Sequence, residues 1–298
     1  MQHADGPVGR GVAASEVAGA ASSAAVGFEP WPDSSVHVEW GPTGAALAAD
    51  RGDVVVVVDV LSFSTTLSMA VARDFTCLVY SEAEIESLGG PATAAIRLGA
   101  KPLGRRRGVD PGQVSLSPAS LLGAEPGQRV VFTSLNGATV VAAAARAPAL
   151  LVGAPRNATA CAEIAAGLMT ATRAGRVTIV ACGERWSSIE PGVVGARPAV
   201  EDWLGAGAIS AAMADLGYSL SAEARIAAAA WRAPAALEDL AGCVSAAELR
   251  AGGFALDVEL ALEVDADQKV PVRMIGEQTG RVFLGLAPDK AVPDDGRD

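Results

Sequence analysis

Histidine occurs twice and cysteine four times in this chain of 298 residues, and aromatic side chains make up 4% of it. Each scarcity excludes something. With only His3 and His37, a Ser-His-Asp triad or a histidine metal cluster lacks its parts. Cys77, Cys161, Cys182 and Cys243 lie far apart and form no CxxC pair, so neither a zinc site nor a disulfide framework is signalled. Cys182 with Arg185 is CxxR, too short a loop to wrap a phosphate between thiolate and guanidinium, and Cys182 reads as packing. Basic residues number 23 against 34 acidic ones, and the net charge of −11 argues against a nucleic-acid partner. No stretch holds eighteen uninterrupted apolar residues, and MQHADGPVGRGVAAS lacks both a basic start and a leucine-rich core. The expectation is a cytoplasmic protein with reduced thiols and no membrane partner. Neither GxGxxG after a strand nor GxxxxGK[ST] occurs, so nucleotide binding lacks its usual support.

What is present is an apolar half, ample for a sizeable core, arranged as alternating strands and helices. Residues 1–34, rich in alanine, glycine and serine, read as a flexible leader; residues 35–288 read as the folded domain, with room for two lobes, and 289–298 as a frayed tail. The expected strands are VHVEW (36–40), VVVVVD (54–59), RVVFTS (129–134), ALLVGA (149–154) and RVTIVACG (176–183). Helical patterns follow as ATVVAAAARA, ATACAEIAAGLM and AVEDWLGAGAISAAMADLG. This alternation predicts an α/β fold with parallel pairing, right-handed crossovers and all strand-to-helix turns on one sheet edge, where ligands bind. Four polar turns should converge there: Ser62–Thr66, Leu135–Gly137, Arg156-Asn157 and Glu184–Trp186. Nearer the end, Ser245 to Glu248 spells a capping box for a short helix closed by Gly252-Gly253. VPVRM (270–274) and RVFLG (281–285) flank the turn IGEQTG as a hairpin.

Asp59 ends the five-valine run. A carboxylate at the end of a strand buried on both faces must be solvated, paired or bound to a metal, which makes it a candidate metal ligand or nucleophile; it equally suits capping the next helix. The hydroxyls of Ser62, Ser64 and Thr65 follow where an anion can be received. At Asn136-Gly137 a glycine with positive φ would let backbone N–H groups approach a phosphate while Asn136 orients an oxygen; an ordinary turn is the alternative. Glu184, Arg185, Glu190, Glu201 and Asp202 form a dense polar stretch. Hard oxygen ligands of this kind suit Mg²⁺, although the helix dipole alone favours acids in a first turn. Arg105, Arg106 and Arg107 are the one tight basic cluster, fit either for anions or for a solvated turn.

The chain resembles the 2-phosphosulfolactate phosphatase family, the ComB-like proteins, at VVVVDVLSFSTTL, GRRRG followed by SLSPASL, FTSLNGA, GAPRNATA, ACGERW, VEDWLGAGAI and DVELALEVDADQKVPV, in that order. The resemblance implies a three-layer α/β/α fold with a largely parallel or mixed sheet. It also implies a Mg²⁺-dependent phosphatase that frees sulfolactate from a small phosphorylated hydroxy-sulfonate, as in coenzyme M biosynthesis. Many members carry Arg after DVL where this chain has Ser62, and NSP where it has Leu116-Ser117-Pro118, so the substrate here can differ. On this reading Asp59, Glu201 and Asp202 are the catalytic and metal-binding carboxylates. Ser62, Ser64, Thr65, Arg106, Asn136, Gly137 and Arg185 bind a small anionic phosphorylated substrate. The alanine-rich surface is compatible with a homodimer. The rival expectation is a non-catalytic anion-binding protein on the same scaffold.

Overall fold

The five valines expected to be buried on both faces are fully inaccessible, and they form an interior strand of the sheet. The structure, a computed structural model, describes residues 33–104, 106, 113–274 and 281–288. The expected leader up to residue 32, Arg105, Arg107, the IGEQTG turn and the tail from residue 289 lie outside the described residues.

The chain begins with β1 (Val36–Trp40), α1 (Gly41–Arg51) and β2 (Val54–Val58). Pro42 sits in the first turn of α1, and Gly52 ends the helix in the left-handed region at φ 81°. Next come α2 (Phe63–Ala72), β3 (Thr76–Val79), α3 (Glu82–Ser87), α4 (Pro91–Arg97) and β4 (Lys101–Pro102). They are followed by β5 (Arg129–Phe132), α5 (Gly137–Ala143), β6 (Ala149–Gly153), α6 (Ala158–Thr172) and β7 (Val177–Ala181). A small separate hairpin, β8 (Glu184–Arg185) and β9 (Ala196–Arg197), precedes α7 (Val200–Asp215). Then α8 (Ala222–Trp231), α9 (Ala236–Gly242), α10 (Val244–Ala251) and α11 (Ala255–Ala261) lead to β10 (Val270–Arg273) and β11 (Val282–Leu286).

The main sheet runs β1-β7-β2-β6-β10-β11-β3-β5-β4. It is mixed. Strands β1, β7, β2 and β6 pair in parallel, as do β3, β5 and β4, and the antiparallel β10-β11 hairpin joins the two groups. The sequence reading anticipated the hairpin but not its place between β6 and β3, because a period-2 pattern does not name its partner strand.

Along β2 alternate valines enter opposite cores. Val54, Val56 and Val58 pack with Ile164 of α6, Ile179 and Ile209 of α7, while Val55 and Val57 pack with Leu67 of α2 and Val140 of α5. These two cores with the sheet between them make the three layers, and each buried valine contributes roughly 1.5–3 kcal/mol. The capping box expected at Ser245 is not used. Cys243 caps α10 instead, its sulfur accepting from Ala246 N–H, because the helix starts at Val244 and Ser245 already lies inside it, buried.

Helices α7 and α8 touch where Gly207 faces Ala227. A Cβ at Gly207 would lie 2.2 Å from the Ala227 carbonyl oxygen, whereas one at Gly242 would meet nothing within 4 Å. Gly207→Ala should therefore lower unfolding stability by about 1–3 kcal/mol in urea titrations, with Gly242→Ala as a near-neutral control.

Candidate active site

β2 delivers Asp59 to the carboxyl edge of the sheet, 8% exposed, with its Oδ2 accepting the Gly137 N–H at 2.8 Å. The amide of Phe63 faces the same carboxylate. Gly137 is there for space rather than for the positive φ that its turn suggested: its φ lies outside the left-handed region, and a Cβ would fall 2.2 Å from the Phe63 ring and 2.8 Å from Asp59 Oδ2. Although four strands separate β5 from β2 in the sheet, its turn reaches across to bring this amide to the carboxylate.

Asp202 stands beside Asp59. Its Oδ1 accepts Val60 N–H at 2.8 Å and its Oδ2 accepts Gly183 N–H at 2.9 Å, so one side chain from α7 ties the ends of β2 and β7 together. Glu184 takes a hydrogen bond from Asn136 Nδ2 at 2.9 Å, and Arg185 donates to the Leu135 carbonyl at 3.0 Å, joining the β8-β9 hairpin to the turn after β5. Glu201 is 3% exposed, bonds with Cys243 and lines a separate 530 Å³ cavity with Arg197.

Burial dominates the electrostatics. Desolvation, then Glu184 and to a smaller extent Glu201, push the Asp59 carboxyl up to about 7 against the pull of the Gly137 and Phe63 amides. Asp202 is pushed well up by burial, Asp59 and Glu201, and Glu184 is raised mainly by burial. Burial and the neighbouring carboxylates also raise the Cys182 thiol far above its usual range, so it supplies no thiolate nucleophile.

A 360 Å³ cavity opens in front of Asp59, lined by Ser62, Phe63, Leu103, Arg106 and Asn136 among others. Arg106 spans one side: its Nη2 donates to Ser62 Oγ at 2.5 Å and to the Leu116 carbonyl at 3.2 Å, and its Nη1 to Asp257 Oδ2 at 3.0 Å. The two positions that depart from the family pattern, Ser62 and Leu116, thus touch each other, Ser62 Oγ also donating to the Leu116 carbonyl at 3.1 Å. A neighbouring 390 Å³ cavity holds Glu184 and Arg185 and shares Leu135 and Asn136 with the first.

Ser64 and Thr65, expected to face a ligand, are fully buried. The Ser64 hydroxyl accepts Asp59 N–H and approaches the Val57 carbonyl, and Thr65 donates to the Val60 carbonyl, so both brace the turn from behind. Of the four turns expected to converge, three meet around Asp59. The fourth spends its side chains elsewhere: Arg156 binds Asp267, the Leu260 carbonyl and Glu263, while Asn157 bonds Ser68 and the Ala154 amide. Asp257 and Arg197 were missed. The signal for Asp257 lay within DVELALEVDADQKVPV, one of the segments that carry the family resemblance; Arg197 stands opposite Glu184 in the β8-β9 ladder, a pairing no periodicity announces.

Among the described residues no group of three or more His, Cys, Asp or Glu side chains is arranged to hold a metal ion by itself. Two carboxylates suffice for Mg²⁺, which keeps waters and takes substrate phosphate oxygens. Glu184 is the charge that most raises the cost of ionising Asp59, the two carboxylates border the adjoining cavities, and a divalent cation between them would relieve that cost.

A carboxyl whose folded pKa is raised keeps its proton longer in the folded than in the unfolded chain, so folding stability falls as pH rises from the ordinary aspartate range to about 7 and levels off above. Asp59→Asn should flatten that decline, leaving the variant more stable than wild type by up to a few kcal/mol at pH 8 and little changed near pH 4. Urea midpoints across that interval measure it.

No helix of the described residues is long and apolar enough to cross a membrane. No curated relative matches the chain. The model of the 2-phosphosulpholactate phosphatase family matches residues 43–274, a span that holds the sheet from β2 to β10 and every residue placed around the cavity. The acidic strand end, the arginine across from it and this match agree, and the chain belongs to the 2-phosphosulpholactate phosphatase family, whose members are phosphoric monoester hydrolases.

Proposed function

We propose that this chain is a Mg²⁺-dependent phosphatase that hydrolyses the phosphomonoester of 2-phosphosulfolactate, or of a similar small phosphorylated hydroxy acid, in the cavity in front of Asp59. The observation that carries the reading is the pairing of opposites across that cavity. A buried carboxylate held by two backbone amides faces a guanidinium, Arg106, that feels the Asp59 charge. A phosphorylated acid has one end for each.

In this reading Asp59 and Glu184 hold the metal, with Asp202 keeping the strand ends in register behind them. When bound, Mg²⁺ polarises the phosphate and draws charge from the departing ester oxygen. Asn136, at the rim shared by the two cavities, donates toward phosphate oxygens. Arg106 grips the acid group at the other end of the substrate, and Arg185 borders the entrance on the Glu184 side. As a metal ligand Asp59 acts as the ionised carboxylate, the form that a bound cation would favour over the protonated one favoured by burial alone.

Purified protein with Mg²⁺ should release phosphate from 2-phosphosulfolactate, and a chelator should stop it. Asp59→Asn should lower kcat by about a hundredfold or more at neutral pH without unfolding the protein. An unchanged rate in that variant removes Asp59 from the chemistry. Thermal stabilisation by phosphorylated acids without turnover would instead identify an anion-binding protein.

A further inference from the structure

Arg106 is held from four directions by parts of the chain far apart in sequence. Ser62 follows β2, and the Leu116 carbonyl lies in the loop before β5. The Phe254 ring lies under the guanidinium at 5.3 Å from its centroid, and Asp257 stands in the first turn of α11. The Asp257 side chain is 1% exposed and does not line the cavity, whereas the Arg106 side chain is 26% exposed and does. The other Asp257 oxygen accepts from Ser117 Oγ at 2.5 Å and from Ala119 N–H at 3.3 Å. One carboxylate thus fixes both the guanidinium and the loop whose Leu116 carbonyl the guanidinium also meets. An arginine serving only as a solvated surface charge needs no buried counter-ion, and burying a carboxylate costs more than packing an apolar side chain there.

We infer that Asp257 is a positioning residue that aims Arg106 at the acid group of the substrate, an inference resting on the phosphatase reading of the cavity. It acts without touching substrate. The orientation of a planar guanidinium decides whether it meets a carboxylate or sulfonate with two hydrogen bonds or one. Asp257 sets that orientation from outside the cavity lining, together with Ser62 and Leu116 at its wall.

The test is a double-mutant cycle on the full chain with Mg²⁺, reading kcat and KM for phosphate release from 2-phosphosulfolactate and the calorimetric Kd of sulfolactate. Asp257→Asn should raise KM and Kd about tenfold, with kcat changed far less. Arg106→Ala should raise them at least as much. In the Arg106→Ala background, Asp257→Asn should change KM by less than about twofold, since its effect passes through the arginine. Arg106→Lys keeps the charge but cannot span Asp257 and Ser62, and should raise KM as Asp257→Asn does; this variant decides the matter if Asp257→Asn fails to fold. An unchanged KM in Asp257→Asn, additive losses in the double variant, or a wild-type KM in Arg106→Lys overturns the inference while leaving the phosphatase reading standing. Wild-type protein that neither releases phosphate nor binds sulfolactate overturns both.

Discussion

Asp202 accepts two backbone amides at once, Val60 N–H and Gly183 N–H, and the geometry of the whole sheet edge follows from that pair of hydrogen bonds. In a parallel sheet the last amides of each strand run out of ladder partners. β2 and β7 are neighbours, and the first turn of α7 places a carboxylate between their ends. Each amide left bare in such a buried place would cost about 1–3 kcal/mol. With both satisfied, α7 is seated at its N-terminus, the turn after β2 is fixed, and Asp59 is presented at one defined height above the sheet. The buried hydroxyls of Ser64 and Thr65 finish the same task from below.

The second consequence is a concentration of negative charge. Asp59, Glu184 and Asp202 are all raised, burial adding the largest share and neighbouring carboxylates, Glu201 among them, the rest through a medium that screens poorly. Apolar residues in these positions would be cheaper for folding. Backbone amides at Gly137, Phe63, Val60 and Gly183 offset part of the cost, as does the charge of Arg197 at Glu184. Carboxylates this costly to ionise are groups that a bound cation would stabilise, as phosphoryl chemistry, where charge has to be gathered in one place, would use.

The end of the chain completes what the beginning starts. The β10-β11 hairpin closes the gap between two parallel half-sheets, burying Val270, Val272, Val282 and Phe283. Just before it, α11 and the segment after it provide Asp257 for Arg106 and Asp267 for Arg156. Two arginines from the middle of the chain are therefore oriented by carboxylates from its last quarter. The cavity belongs to the assembled fold rather than to any one segment.

Sequence alone determined the alternation of strands and helices, the buried five-valine strand with Asp59 at its end, the existence of the terminal hairpin and the family. These are properties of local periodicity and composition, and of motifs that keep their order along the chain. Tertiary structure decided the rest: which strands pair, that the hairpin enters mid-sheet, that Gly137 is demanded by Phe63 and Asp59, and that Cys243 rather than Ser245 caps α10. It also decided which polar residues face the cavity, turning Ser64 and Thr65 inward and bringing Asp257 to Arg106. The physical reason is that a hydrogen bond between side chains over a hundred residues apart depends on how separately formed elements pack, and no local pattern of hydrophobicity, turn chemistry or charge carries that distance.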